Sequence, residues 1–166
     1  MAENAHHQQL GKFVVLFQGL ESSLIGMIGA ITDQAYAAPI LPVETKYRRL
    51  VGATGAKFSR AVDLLRQPDL EAKARFHELM EKCLHIGVLR DRLIHSKYAL
   101  LTRASNTVAP AQKNGKLTFK EGSCGQVIGK DPAVESFEPH CREIAEVVAE
   151  IESFRLHVIE WKRRDS

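Results

Sequence analysis

Apolar residues recur every three or four positions along four stretches of the chain, the spacing that places them on one face of an α-helix. The first stretch runs from about Gln8 to Ala37 and the second from Val43 to Arg66. The third begins at Pro68 or Asp69 and continues to about Leu101, and the last covers about Pro139 to Arg163. The pattern therefore predicts four long helices, each with one buried stripe.

Residues 106–130 differ in composition from these stretches, because they are rich in glycine and other turn-forming residues. Asn114-Gly115 stands between two short runs of mixed polarity, and Asn-Gly is a strong signal for a two-residue hairpin turn. We therefore predict a small β-hairpin insertion at 106–130. The predicted fold is mainly α, an antiparallel four-helix bundle that forms a single domain over residues 1–166.

Composition narrows the class of protein only slightly. The chain has 166 residues, enough to bury a core, and its net charge of +3 permits contact with a polyanion without requiring it. Polar residues such as Gln18 and Glu21 interrupt the most apolar stretch, so we expect no helix of the roughly 20 apolar residues that span a bilayer. Three cysteines without close pairing favour a reduced, cytoplasmic setting.

The third predicted helix contains a dense group of charged residues, "VLRDRLIHSKY", at residues 88–98. Asp91 and His95 are four residues apart, so both lie on one helix face and the carboxylate can accept a hydrogen bond from one ring nitrogen. Tyr98 continues this row, and Arg90 and Lys97 lie on a neighbouring row. A histidine oriented in this way, with cations and a phenol beside it, suits proton transfer and charge stabilisation on a phosphodiester.

The same segment, "RDRLIHSKY", resembles the signature of the HEPN superfamily, in which an arginine is followed by Asn, Asp or His, three residues and a histidine. The "HSKY" that ends it is similar to a common extension of that signature, and "FQGLESSL" is similar to the opening helix of the family. The resemblance implies an all-helical bundle that cleaves RNA without a metal or another cofactor. The insertion at 106–130 is a departure from the family pattern.

The resemblance also implies roles for individual residues. His95 would handle protons, Arg90 would stabilise the transition state and Asp91 would orient His95. The RNA would be contacted by Lys97, Tyr98 and Arg92. The predicted site consists of these six residues and contains no metal ligand. Two copies of the motif usually meet across a homodimer in such families. The resemblance leaves a toxin, an antiviral or an RNA-processing role open, and in a toxin role a neutralising antitoxin protein is a further expected partner.

Other interpretations stay open from the sequence. The Arg–Asp–His group could be a structural network at the dimer contact of a non-catalytic helical module, or simply a solvated helix face. His77, Glu81 and His85 form a row that could ligate a metal ion in a helical-bundle enzyme, although no established metal motif supports it. His140 and Cys141 could form a reactive pair, but adjacent helical residues point about 100° apart, which disfavours a catalytic dyad.

Overall fold

The structure of this chain, a computed structural model, describes residues 2–34, 43–108 and 137–165. Side chains are described for residues 8–34, 46–93 and 137–165. The described residues form four helices and no strand: α1 (Ala2–Thr32), α2 (Val43–Asp63), α3 (Leu70–Val108) and α4 (Glu138–Asp165). The prediction of a mainly helical chain with four long helices is confirmed.

The helix boundaries differ from the predicted ones chiefly at α3. This helix continues to Val108, beyond the predicted end near Leu101, so residues 106–108 of the predicted insertion are helical. The rest of the predicted β-hairpin falls on residues 109–130, outside the described residues. The predicted start of this helix at Pro68 or Asp69 lies within two residues of the observed start at Leu70. Asp69 Oδ1 accepts a hydrogen bond from the backbone N–H of Ala72 at 2.9 Å and so caps the helix.

Side-chain contacts give the relative direction of neighbouring helices. Lys73 of α3 pairs with Asp63 of α2 at 2.6 Å, while Tyr47 near the start of α2 donates its hydroxyl to the backbone oxygen of Cys83. Residue numbers therefore fall along α3 as they rise along α2, and these two helices are antiparallel. The pairs Phe76–Phe154 and Lys82–Glu150 show that α3 and α4 are antiparallel as well.

Helices α1 and α4 run in the same direction, which differs from the antiparallel arrangement predicted for the whole bundle. Lys12 pairs with Glu138 at one end, and Asp33 pairs with Lys162 at the other, at 3.4 and 2.7 Å. The sequence carried no signal for this pairing, because helical periodicity predicts which face is buried and not the direction of the partner helix.

Four aromatic residues from three helices form the centre of the core. Phe58 of α2 stacks on Phe76 of α3 with ring centroids 3.9 Å apart, and Phe154 of α4 meets both rings edge-on. The ring centroid of Trp161 lies 5.8 Å from that of Phe58. Offset and edge-to-face packing of aromatic rings contributes roughly 0.5–1.5 kcal/mol per pair beyond the burial of apolar area. This cluster therefore joins α2, α3 and α4.

The side chain of Tyr47, from α2, packs against α3 at Gly87. Its hydroxyl donates to the backbone oxygen of Cys83 at 2.8 Å, and its ring lies against Gly87, one turn further along. A Cβ atom at Gly87 would come within 2.6 Å of the ring atom Cε1. No side chain fits there unless Tyr47 moves, so Gly87 is required by this close approach of α2 and α3.

The described contacts divide the chain into two compact units, residues 1–88 with 137–166 and residues 89–136. Within the first unit, the stretch Gln8–Thr32 of α1 is long and apolar enough to cross a membrane by length and composition, because it contains an 18-residue window with a mean hydropathy of 1.7. The expectation that no stretch reaches this limit was therefore wrong. Core helices of soluble proteins meet the same criterion. In α1 the stripe Phe13, Leu20, Leu24 and Met27 is fully buried, while 28% of the apolar window as a whole is buried.

We expect Gly87→Ala to lower the free energy of unfolding by about 1–3 kcal/mol, because the new methyl group displaces the Tyr47 ring and its hydrogen bond. This loss exceeds the gain of up to about 1 kcal/mol in helix propensity. The control is Gly52→Ala in α2, where a Cβ would meet nothing within 4 Å, and which should stabilise the protein. Urea denaturation of both variants measures the difference, and equal stabilisation by both would contradict the proposed role of Gly87.

Candidate functional site

The charged motif lies on one uninterrupted helix. α3 extends on both sides of residues 90–98, so Arg90, Asp91 and His95 follow one another without a break in the helical backbone. Asp91 and His95 are therefore one turn apart on the same helix face, as predicted. The side chains of His95, Lys97 and Tyr98 lie outside the described residues, and their predicted roles stay predictions.

Arg90 is buried, with only 6% of its surface exposed. Its Nε and Nη2 atoms both donate to Oδ1 of Asp91, at 2.9 and 2.5 Å. The long arginine side chain folds back toward its neighbour, although adjacent residues on a helix point about 100° apart. Burial of a cation costs free energy unless it is paired and hydrogen-bonded, so this carboxylate is part of what allows an arginine at this position.

Asp91 accepts hydrogen bonds from Arg90, whereas the sequence predicted His95 as its partner. Both hydrogen bonds from Arg90 end on Oδ1. Its second oxygen, Oδ2, accepts no hydrogen bond from any residue whose side chain is described. One carboxylate can hold a cation on one oxygen and orient an imidazole with the other, so the predicted pairing of Asp91 with His95 remains a prediction.

The residues around Arg90 separate into a buried and an exposed side of α3. Leu89 and Leu93 are buried, which confirms that one side of the motif is apolar and covered. Arg92 is exposed, and it also makes interactions of its own. The motif is therefore not a uniformly solvated helix face, because its arginines occupy different environments.

The alternative metal site on α3 gains no support from the geometry. His77, Glu81 and His85 are all exposed on the outer side of the helix. Among the described residues, no three His, Cys, Asp or Glu side chains are grouped so that they could hold a metal ion. Charged residues at this spacing commonly form a solvated row on a helix.

The cysteines with described side chains are core residues. Cys83 and Cys141 are free and buried. Burial raises the pKa of the Cys83 thiol from 9.0 to about 12, and burial also raises the pKa of Cys141, despite its position in the first turn of α4. A reactive cysteine requires a lowered pKa, so Cys141 lacks the electrostatic basis for the reactive pair with His140.

Comparison of this chain with family models, with curated proteins and with solved structures finds no match. The resemblance to the HEPN superfamily therefore depends on the quoted motifs. Sequence reasoning did not identify the Arg90–Asp91 pair or the contact of Tyr47 with Gly87. A glycine inside an apolar helical stretch was the one available signal for the second of these, since such a glycine often marks close approach of another helix.

We expect Asp91→Ala to destabilise the protein by about 1–3 kcal/mol, because it leaves the buried guanidinium of Arg90 without this partner. The control is Asp63→Ala, which removes a carboxylate from the more exposed Lys73 pair and should cost at most about 1 kcal/mol. Urea denaturation at constant pH compares the two. Equal effects would show that the Arg90–Asp91 pair contributes no more than a surface ion pair.

We expect the stability of the protein to fall at alkaline pH through Cys83. Its contribution is fully present below the unfolded pKa of 9.0 and is lost as the pH rises toward about 12, because the unfolded thiol releases its proton first. Cys83→Val should remove part of the decline in unfolding free energy between pH 9 and 11, as measured by urea denaturation. Cys141→Val is the comparison: burial raises the pKa of this thiol as well, but less far, so the variant should remove a smaller part of the decline. An equal or larger effect of Cys141→Val would contradict the assignment to Cys83.

Proposed function

We propose that this chain is a HEPN-like, metal-independent endoribonuclease that acts as a homodimer. The observation that supports the proposal best is the buried Arg90, held by two hydrogen bonds to Asp91 on the same uninterrupted helix that carries His95. A buried cation is costly, and an arginine fixed in one position by a carboxylate is a suitable group to stabilise charge on a phosphate.

The reaction follows from these side-chain types. The 2′-hydroxyl of the RNA attacks the adjacent phosphorus, a new P–O bond forms, and the bond from phosphorus to the 5′-oxygen breaks. The proton of the 2′-hydroxyl passes to a base, and the departing 5′-oxygen takes up a proton, which leaves a cyclic phosphate and a free 5′-hydroxyl. In the proposal His95 moves these protons, and Arg90 stabilises the charge on the phosphate oxygens.

In the proposal, a second copy of the chain brings a His95 to the Arg90 of the first. Five residues separate Arg90 from His95, which places them about 140° apart around an ideal helix, so one copy does not direct both groups at one phosphate. Two copies of the motif facing each other would present Arg90 of one protomer beside His95 of its partner. Lys97, Tyr98 and the exposed Arg92 would then contact the RNA backbone. In a cytoplasmic toxin role, an antitoxin protein would block this surface.

The same Arg90–Asp91 pair also favours a second candidate function. Arg90 is almost fully buried and is already held by a carboxylate, as a residue with a purely structural role would be. The chain would then be a non-catalytic helical interaction module that keeps the Arg–Asp–His group as a structural network. Apolar replacement of such a network is often tolerated or stabilising, which separates the two candidates.

Cleavage of RNA by the purified protein in EDTA tests the first candidate. We expect the parent chain to release products with cyclic phosphate ends, and His95→Ala to lose roughly 10²-fold or more in rate. Arg90→Lys should retain the charge but lose most of the activity, because lysine lacks the planar fork of donors. His85→Ala, which changes an exposed histidine on the same helix, is the matched control and should cleave at the parent rate.

Sedimentation and circular dichroism of each variant establish that it is folded and has the parent oligomeric state. A folded, dimeric parent chain that leaves RNA intact would contradict the proposed enzyme. If, in addition, the double variant Arg90→Met/Asp91→Leu keeps the parent stability and oligomeric state, the second candidate is supported.

A further inference from the structure

A cleft of about 370 Å³ lies between the C-terminal halves of α1 and α4. We call it the α1/α4 cleft, and its described lining residues are Gly26, Ala30, Asp33, Arg155, Ile159, Lys162 and Arg163. Three of these residues are cationic and one is acidic. The cleft belongs to the first compact unit and is separate in sequence from the charged motif of α3.

The spacing of the lining residues explains why the cleft exists. On α4, Arg155, Ile159 and Lys162 are four and three residues apart, so their side chains share one face of the helix. On α1, Gly26 and Ala30 are four residues apart and also share a face. A Cβ atom at Gly26 would lie 4.0 Å from Cδ of Arg155, so a larger side chain there would occupy the cleft.

The cations of the cleft keep hydrogen-bonding capacity. Arg155 Nε donates to Glu152 at 2.7 Å, and its four Nη N–H groups donate to no described residue. Arg163 is exposed and has no ion-pair partner in the described ranges. Lys162 pairs with Asp33 at 2.7 Å, an ion pair that lies near the solvent. An anion in the cleft would therefore meet the N–H donors of three cations and, among the described lining residues, the carboxylate of Asp33 alone.

Helix dipoles account for only part of this positive charge. Both α1 and α4 end beside the cleft, and the negative ends of their dipoles favour nearby cations such as Lys162 and Arg163. The effect is confined to the last turn of a helix. Arg155 lies more than two turns before the end of α4, so its position in the cleft is not explained by the dipole.

We propose that the α1/α4 cleft binds backbone phosphates of single-stranded RNA. The choice of RNA as the source of the phosphates rests on the proposed function. The described lining contains no aromatic side chain on which a base could stack, so the cleft would contact phosphates without reading sequence. From Arg155 to Arg163 the helix rises roughly 12 Å, which allows contact with successive phosphates of an extended strand.

Binding of a fluorescent 2′-O-methyl oligouridine, which has no free 2′-hydroxyl and is not cleaved, tests the cleft without requiring activity. We expect Arg163→Gln to weaken binding about five- to tenfold at low salt and to reduce the slope of log affinity against log salt by about 0.7. Arg164→Gln is the matched control, because Arg164 is the adjacent cation and does not line the cleft.

Two further variants distinguish a specific cleft from general surface charge. Gly26→Leu fills the cleft without changing charge and should weaken binding at least threefold, whereas Gly19→Leu on the same helix should have no effect. Asp33→Asn should tighten binding about two- to threefold, because it removes a negative charge beside Lys162. Asparagine accepts the left-handed backbone conformation of residue 33, where φ is 56°, so the fold is kept. Asp63→Asn is its control for the loss of one negative charge.

Unchanged binding by Arg163→Gln and Gly26→Leu would overturn the proposal. Binding of inorganic tripolyphosphate to the same variants is the second measurement. If Arg163→Gln and Gly26→Leu lose tripolyphosphate binding but keep oligouridine binding, the cleft binds a small phosphate compound and the proposal is overturned. Failure of the enzyme claim is distinguishable, since His95→Ala leaves the cleft intact and should bind oligouridine like the parent chain. Conversely, cleft variants of an active enzyme should raise KM for RNA and leave kcat unchanged.

Discussion

The stacking of Phe58 on Phe76 is the contact on which the packing of α2, α3 and α4 depends. It joins the C-terminal part of α2 to the N-terminal part of α3, and Phe154 of α4 packs edge-on against both rings. Three helices therefore share one set of ring contacts. The close approach of Tyr47 to Gly87 fixes α3 again, three residues before Arg90. The part of α3 that leads into the charged motif is therefore held at two points.

Charge is distributed unequally between the core and the surface of this chain. Arg90 is the charged side chain that is buried in the described residues, and it is held by the neighbouring Asp91. The ion pairs Lys12–Glu138 and Lys162–Asp33 lie nearer the solvent, where such pairs contribute little to stability. Both candidate roles of α3, catalytic and structural, start from this arginine, which is retained in a costly environment while the other cations with described side chains lie nearer the solvent.

Periodicity predicted most of the helical structure because burial of an apolar stripe leaves a direct record in the sequence. The stripe of α1, from Phe13 through Leu24 to Met27, is buried as expected. Contacts between helices leave no such record, so the parallel pairing of α1 with α4 was not predicted. Within the site, the helical spacing of Asp91 and His95 was predictable. The hydrogen bonds from Arg90 to Asp91 were not, because they depend on which way a long, flexible side chain folds.

The pairing of α1 with α4 has a consequence for the order in which the fold is completed. Lys12 and Glu138 are 126 residues apart in the chain, and Asp33 and Lys162 are 129 apart. During synthesis, α1 can pack on α2 early, but more than 100 further residues must be made before α4 is available to it. Contacts between distant parts of a sequence slow folding and prolong the exposure of apolar surface. The most apolar helix of this protein is thus also one whose packing is finished last.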